Sequence, residues 1–353
     1  MRSKTADIAP KNDTEKPEPL PFVLFHIAGL AALWTGVSWQ SLAMCLAFYV
    51  LRMWGVTAGY HRYFAHRSYQ TSRVFQFILA FVAQMSAQRG ALWWAATHRA
   101  HHRHSDSELD VHSPAQRGFW YAHLGWIFDN RHHATDYGAI SDFAKFPELV
   151  WLDRNPYIPP ATLAVAAFLI GGWQGLVVGF VWSTILTFHA TFFINSLAHV
   201  HGKRRFVTGD QSRNNWLLAL ITLGEGWHNN HHAFPSSARQ GFRWWEIDLT
   251  YCVLKGLSLL GVVWDLRPAP QDLRQGRQTV APVMIEKAAA QLVRDFAARL
   301  AKAKAEWRIP SLEELRKLAA RRLPKTPQLD EIIERAMTIA RSHVAVRAGV
   351  AAD

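Results

Sequence analysis

The placement of apolar residues restricts this chain more than any other feature. They concentrate in four stretches, at about 21–38, 39–60, 158–171 with its flank to 178, and 179–197. A helix needs roughly 20 apolar residues to cross a hydrocarbon core, so each stretch is a candidate span. The first two meet in a tight turn near Trp39 and Gln40, and the last two meet around Gly171, Gly172 and Gly175. Neither turn carries Lys or Arg. The N-terminal tail (Arg2, Lys4, Lys11, Lys16) and the segment after the fourth stretch (Lys203, Arg204, Arg205) are basic, which puts both termini on the cytoplasmic side. Arg52 interrupts the second span and is expected to snorkel or to face the bundle interior.

Histidines supply the chemistry. His61 and His66, then His98, His101 and His102, then His228, His231 and His232 form three clusters, with His199 standing alone before the third. Neutral imidazole is the commonest protein metal ligand, and spacings of three and four place rings on one helical face. A structural zinc ion closes with four ligands, so this set exceeds the needs of one ion and reads as a two-metal centre. His61 and His66 follow the second span and His199 closes the fourth, so paired crossings return all nine to one membrane surface. The zincin signature His-Glu-x-x-His is absent, so no glutamate sits ready as a hydrolytic base. Imidazole also suits iron, and a metal pair set over membrane spans points to redox work on an apolar substrate.

Composition narrows the remainder. The formal charge of +12 in a chain with apolar blocks favours anionic lipid surfaces or phosphorylated ligands, and nothing resembles a groove-reading nucleic-acid motif. Two cysteines, Cys45 and Cys252, are too few for an iron–sulfur cluster or a disulfide framework. Residues 1–20 read as a disordered cytosolic tail. Residues 74–88 are apolar but short and carry Gln76 and Gln84, which predicts an amphipathic helix at the interface. After Leu266 the prolines at 268, 270 and 282 mark a linker. Ile285, Ala289, Leu292, Phe296 and Leu300 then follow a helical period, and Ser311 with Glu314 forms a capping box. The expected organisation is therefore a tail at 1–20, a membrane domain at 21–266 and a charged helical extension at 267–353. The fold class is an all-α membrane protein with four transmembrane helices, interfacial helices and a cytosolic helical cap carrying a di-metal histidine site.

From about Trp54 to Leu266 the chain resembles the integral-membrane stearoyl-CoA-type Δ9 fatty acid desaturases. The resemblance rests on GVTAGYHRYFAHRSY (55–69), HRAHHRHSD (98–106), RGFWYAHLGW (117–126), NSLAH (195–199) and GEGWHNNHHAFP (224–235), in order and with spans between them. It implies two Fe ions (Fe2+/Fe3+), with O2 as co-substrate. One is held by His61, His66, His98, His102 and His231, and the other by His101, His199, His228 and His232 with Asn195 through a water. Asn195 and His199, four apart, would share a helical face. The implied reaction introduces a cis double bond, at Δ9, into a saturated long-chain acyl group carried as acyl-CoA. Acyl groups esterified in phospholipid or on carrier protein are the alternatives, as is hydroxylation of a lipid or alkane on the same scaffold.

Asp106, Glu108, Asp110 and Glu225 are candidates to orient the rings through their outer N–H groups. Trp93, Trp94, Trp126, Trp182 and Trp227 are candidates to line an acyl tunnel. Ala96 and the stretch Ile127-Phe128-Asp129-Asn130-Arg131 are less basic than the acyl-CoA members of the family. Arg99, Arg103, Arg131, Lys203 and Arg204 are available to compensate. No haem, flavin or NAD signature is present, so a separate donor is implied: cytochrome b5, ferredoxin or rubredoxin with its reductase. A metal transporter is disfavoured, because the spans offer only Arg52, His26 and His189 and no carboxylate. His104, His112, His123, His132, His133, His189 and His201 lack the cluster spacing and read as structural or surface residues.

Overall fold

The computed structural model describes residues 19–347. All but the last two residues of the expected N-terminal tail lie outside them. Among the described residues the chain is mostly helical, with almost no strand. Besides isolated bridges, its one ladder pairs Gln70 with Trp264 and Thr71 with Val263, antiparallel.

Two helical hairpins form the apolar body. Helix α1 (Leu20–Thr35) tightens to a 3-10 turn at Gly29–Ala31 and stops at Gly36, whose φ of 75° needs a residue without Cβ. Ser38 then starts α2 (Trp39–Ala65): its hydroxyl accepts from the Ser41 N–H, and the Ser41 hydroxyl accepts from the Ser38 N–H. This reciprocal cap satisfies two otherwise orphaned donors. From Gly55 to Ala65 the winding of α2 widens to the π type, a local departure common at functional sites.

Helix α3 (Arg73–Gln84) packs on that segment because Gly55 and Gly59 leave room. A Cβ at Gly55 would lie 2.9 Å from the Ala83 nitrogen. The surface-lying helix expected at 74–88 is thus shorter, and its polar residues turn inward. Tyr63 Oη donates to Gln76 Oε1 at 2.9 Å, and Gln84 Nε2 donates to the Leu152 carbonyl at 3.0 Å, while Val74 and Ile78 face outward.

Helix α4 (Ala91–His104) follows, then short helices and turns that lead to α5 (Ile158–Gln174). Gly172, at φ 58° and ψ −145°, breaks the run. The chain doubles back as α6, wound as a π-helix over Gly175–Trp182 and as an α-helix over Ser183–Asn195. Leu163 and Ala167 of α5 bury against Phe180 and Val181 of α6, as antiparallel legs require. Among the described residues two runs are long and apolar enough to cross a membrane, Trp39–Ala65 and the folded Ile158–His199; α1 is apolar but shorter. Arg52 does not snorkel. It is fully buried and donates to the carbonyls of Phe48 and Phe180 and to the hydroxyls of Ser183 and Thr184.

Beyond the short helix α7 (His228–Ala233) and the apolar α8 (Leu249–Leu259), α9 (Pro282–Lys302), α10 (Leu312–Arg322) and α11 (Leu329–Arg347) form a bundle. Ile285, Leu292, Phe296, Leu315, Ile332 and Ile333 fill its core, and the Ser311–Glu314 capping box is present. Val207, from the loop after α6, belongs to the same core. That shared residue fixes the bundle to the loop beside the histidines.

Candidate metal centre

Four pieces of the chain deliver the histidines to one end of the hairpins. The π-wound end of α2 carries His61, with His66 just beyond it. Helix α4 carries His98, His101 and His102, a 3-10 turn at Leu197–His199 carries His199, and α7 carries His228, His231 and His232. Their ring nitrogens converge on two points. His61, His66, His98, His102 and His231 form one group and His101, His199, His228 and His232 the other, with ligand atoms within 4.8 Å of one another in each.

Inside the first group the Nε2 atoms stand at ligand spacing. His61 to His231, His66 to His98 and His98 to His102 are each 3.0 Å, and His102 to His231 is 2.9 Å. Two nitrogens about 2.1 Å from one ion and at right angles to each other stand about 3.0 Å apart, whereas tetrahedral ligands stand wider. The donor set therefore fits an ion of more than four-fold coordination. In the second group His199 Nε2 lies 3.0 Å from His228 Nε2, and the Nε2 atoms of His101 and His232 are buried with no protein partner. Buried polar atoms rarely go unsatisfied, so both await a ligand.

Carboxylates hold the outer edges of the rings. His61 Nδ1 donates to Glu225 Oε2 at 2.5 Å and His101 Nδ1 to Asp110 Oδ1 at 2.8 Å. His199 Nδ1 donates to Asp106 Oδ2 at 3.3 Å and His232 Nδ1 to Asp210 Oδ2 at 2.7 Å. A carboxylate only accepts, so the proton sits on Nδ1 and the Nε2 lone pair points inward. Burial alone would raise the acids. His101 outweighs burial at Asp110, as His232 does at Asp210 and His61 with Arg62 at Glu225, and all three are held below the usual carboxylate range. Burial, and then neighbouring imidazoles, push His66, His98, His102, His228 and His231 well below 6.5 and keep them neutral. Neutral rings are the ligating form.

Three of the four acids proposed from the sequence are in place, and Glu108 is exposed and orients nothing. Asp210 had no spacing signal, since a loop brings it to His232. Gln240, whose side chain lies 3.2 Å from His61 Nδ1 and 3.5 Å from His231 Nδ1, was equally unmarked. His112 is also more than a surface residue. It is buried with its ring centroid 4.3 Å from that of His101, and with Asp110 it forms a third close group. Asp110 is already committed to His101 Nδ1, so this group backs the second cluster. Asn195 and His199 do not lie on one unbroken α-helix. The helix ends at Asn195, and His199 belongs to the separate 3-10 turn. His201 is exposed.

A cavity of about 750 Å³ runs from the first group into the apolar body. Trp94, Thr97, His98, His112 and Asn195 line it near the histidines, and Phe25, Ala161, Ala164 and Phe180 line its apolar remainder. Trp93 and Trp126 also line it, whereas Trp182 and Trp227 do not. Trp182 Nε1 donates to the Gly29 carbonyl at 2.8 Å and Trp227 Nε1 to that of Ile247 at 2.8 Å.

An apolar cavity that meets the first histidine group, with the second group beside that one, is a site that could hold metal next to an extended apolar ligand. The sequence model of the fatty acid desaturase family matches residues 37–259. An acyl-CoA C20 Delta5-desaturase of Anemone leveillei is 36% identical over 266 residues, covering 73% of this chain and 85% of that one. An sn-2 palmitoyl-lipid 9-desaturase of Nostoc sp. (strain 36) is 36% identical, covering 70% and 89%. Delta-9 acyl-lipid desaturase 2 of Arabidopsis thaliana is 35% identical, covering 73% and 84%. The chain belongs to the fatty acid desaturase family, and it is an oxidoreductase.

Proposed function

We propose that this protein is an O2-dependent di-iron desaturase that introduces a cis double bond, at Δ9, into a saturated long-chain acyl group. The observation that carries the reading is the convergence of nine histidines on two points beside one apolar cavity. His61, His66, His98, His102 and His231 would hold one iron. His101, His199, His228 and His232 would hold the other, with Asn195 reaching it through a water. Two irons so held, supplied with O2 and electrons, provide an oxidant able to take hydrogen from an unactivated methylene. The balance is CH2–CH2 + O2 + 2e− + 2H+ → CH=CH + 2H2O.

The chain's own residues do the rest. Glu225, Asp110, Asp106 and Asp210 keep a proton on Nδ1 and so fix which lone pair faces inward. Trp94 and Thr97 confine the acyl chain where the cavity meets His98, and the apolar walls exclude water along its length.

The membrane arrangement belongs to the same proposal. Helices α1, α2, α5 and α6 would make four crossings. Leu33, Trp34 and Trp39 are exposed at the tip of one hairpin, and Leu169, Ile170 and Trp173 at the tip of the other. Large apolar side chains bare to solvent are costly in water and at home in lipid. With Lys203, Arg204 and Arg205 at the histidine end, the metals and both termini would lie on the cytoplasmic side.

Acyl-CoA is the first reading for the carrier, since Arg89, His132 and His133 are basic side chains that line the cavity away from the metal-ligand clusters. Membrane lipid is the second, and one observation favours it. Asp129 accepts from both Arg117 and Arg131, which leaves fewer free cations for a CoA phosphate. Expression in a host without its own desaturase, with fatty acids analysed by gas chromatography–mass spectrometry, tests the reading. A new cis-Δ9 monoene that disappears in His231→Ala supports it, and a hydroxylated product would replace it. Acyl-CoA and acyl-lipid substrates offered in turn to the purified protein, with reductase and donor, separate the carriers.

A further inference from the structure

The balance above needs two electrons that the substrate does not supply. The loop after α6 and the end of α10 bring cations together where such a donor would be received. Arg204 donates to the Arg322 carbonyl and, at 2.6 Å, to the Asp210 carbonyl. The Asp210 carboxylate in turn holds His232 at 2.7 Å. Arg213 has one weak tie, to the Gly202 carbonyl at 3.3 Å. Arg322, half exposed, meets its one acid, Asp295, at 3.5 Å. Lys203, next to Arg204 in the chain, and Arg321, next to Arg322, are exposed. Burial, and then the neighbouring Arg322, lower Arg213, while Arg204 is lowered by burial and by Arg213 against the pull of nearby acids. Guanidinium groups crowded this way repel one another, and they are stabilised when an anionic surface is brought to them.

Resting on the desaturase reading, we propose that Arg213, Arg322, Lys203 and Arg321 form the docking surface for an acidic one-electron carrier protein, with Arg204 and Asp210 linking that surface to His232. The surface is built half by the loop after α6 and half by the C-terminal bundle, so the extension makes one side of the dock. The carrier gives one electron per encounter and docks twice in each turnover. Charge complementarity of this kind steers association and is screened by salt.

The test uses the full chain in nanodiscs of zwitterionic lipid and a purified acidic [2Fe–2S] ferredoxin as the probe. Binding is followed by biolayer interferometry at several salt concentrations. The double variant Arg213→Glu/Arg322→Glu should weaken binding by about tenfold or more and flatten its salt dependence. Arg213→Gln/Arg322→Gln removes the repulsion between the two cations without creating a pair of like charges, so it should stay folded and weaken binding by a smaller factor in the same direction. Lys302→Glu/Lys304→Glu, also on the bundle, should bind as the parent does. Single-turnover desaturation by dithionite-reduced protein should be unchanged in every variant. Equal binding by parent and Arg213/Arg322 variants would overturn the dock, as would loss confined to vesicles of anionic lipid. Failure of the dithionite turnover in the parent itself would instead count against the desaturase reading, and the binding data would still decide the dock.

Discussion

His232 Nδ1 donates to Asp210 Oδ2 at 2.7 Å, while the other oxygen of Asp210 accepts from the Thr208 hydroxyl at 2.7 Å and the Ser212 N–H at 3.0 Å. The loop fixes the carboxylate and the carboxylate fixes the ring. Replacing Asp210 with Asn should release His232 while leaving the ligands themselves in place. We expect metal affinity or activity to fall about 10- to 100-fold, read as iron per protein and as monoene formed. Glu108→Ala is the control and should change neither.

The acid sensitivity of the metal-free protein follows from the rings themselves. His66, His98, His102, His228 and His231 sit well below 6.5 in the fold. As pH falls through about 6.5 the unfolded chain takes up protons that the native one refuses, so stability drops, by up to about 1.4 kcal/mol per pH unit for each ring. Asp110 and Asp210 are held below 3.8, so what they contribute persists until lower pH. Denaturant midpoints in detergent should therefore be level from pH 8 to 7 and fall from 6.5 to 5. A flat profile across that range would remove the argument.

Close approach of α3 to α2 depends on hydrogen at Gly55. A Cβ there would meet backbone atoms of Val82 and Ala83 at 2.9 Å, which cannot swing aside as a side chain end would. Gly55→Ala should cost about 1–3 kcal/mol by overpacking, seen as a lower thermal midpoint in detergent.

Ala164 lines the cavity on α5. Filling that position with Trp should shorten the usable space. The product profile should move toward shorter acyl chains, each lost methylene counting for about 1–3 kcal/mol of discrimination. Unchanged chain length in the gas chromatogram would place the acyl chain elsewhere.

The second hairpin turn is legible in the sequence because Gly171 and Gly172 interrupt an apolar run, a local property, whereas the first turn, expected near Trp39 and Gln40, lies just before them at Gly36 to Ser38. The three histidine clusters were readable for the same reason, each being a short motif on one helix or at its end. What escaped was non-local. Asp210 reaches His232 from 22 residues away through a loop, and Gln240 reaches His61 from 179 residues away. Neither carries a periodic mark. The expectation for Asn195 and His199 failed because it assumed an unbroken helix, and the chain tightens to a 3-10 turn after Asn195. Residues 74–88 misled in another way: burying Gln76 and Gln84 is affordable only where Tyr63 and the Leu152 carbonyl happen to meet them.

The histidines that converge on each point come from distant parts of the chain, and His61 and His231 alone are 170 residues apart. An ion held there closes several long loops at once, so it acts on the whole fold as a fastener. Without it, imidazole nitrogens face one another at 3.0 Å with few protons to share. Metal supply should then govern the lifetime of the polypeptide as well as its turnover number. If the metal is the iron proposed above, a cell short of iron should hold less of this protein, and pulse–chase labelling under chelation should register that as a shortened half-life.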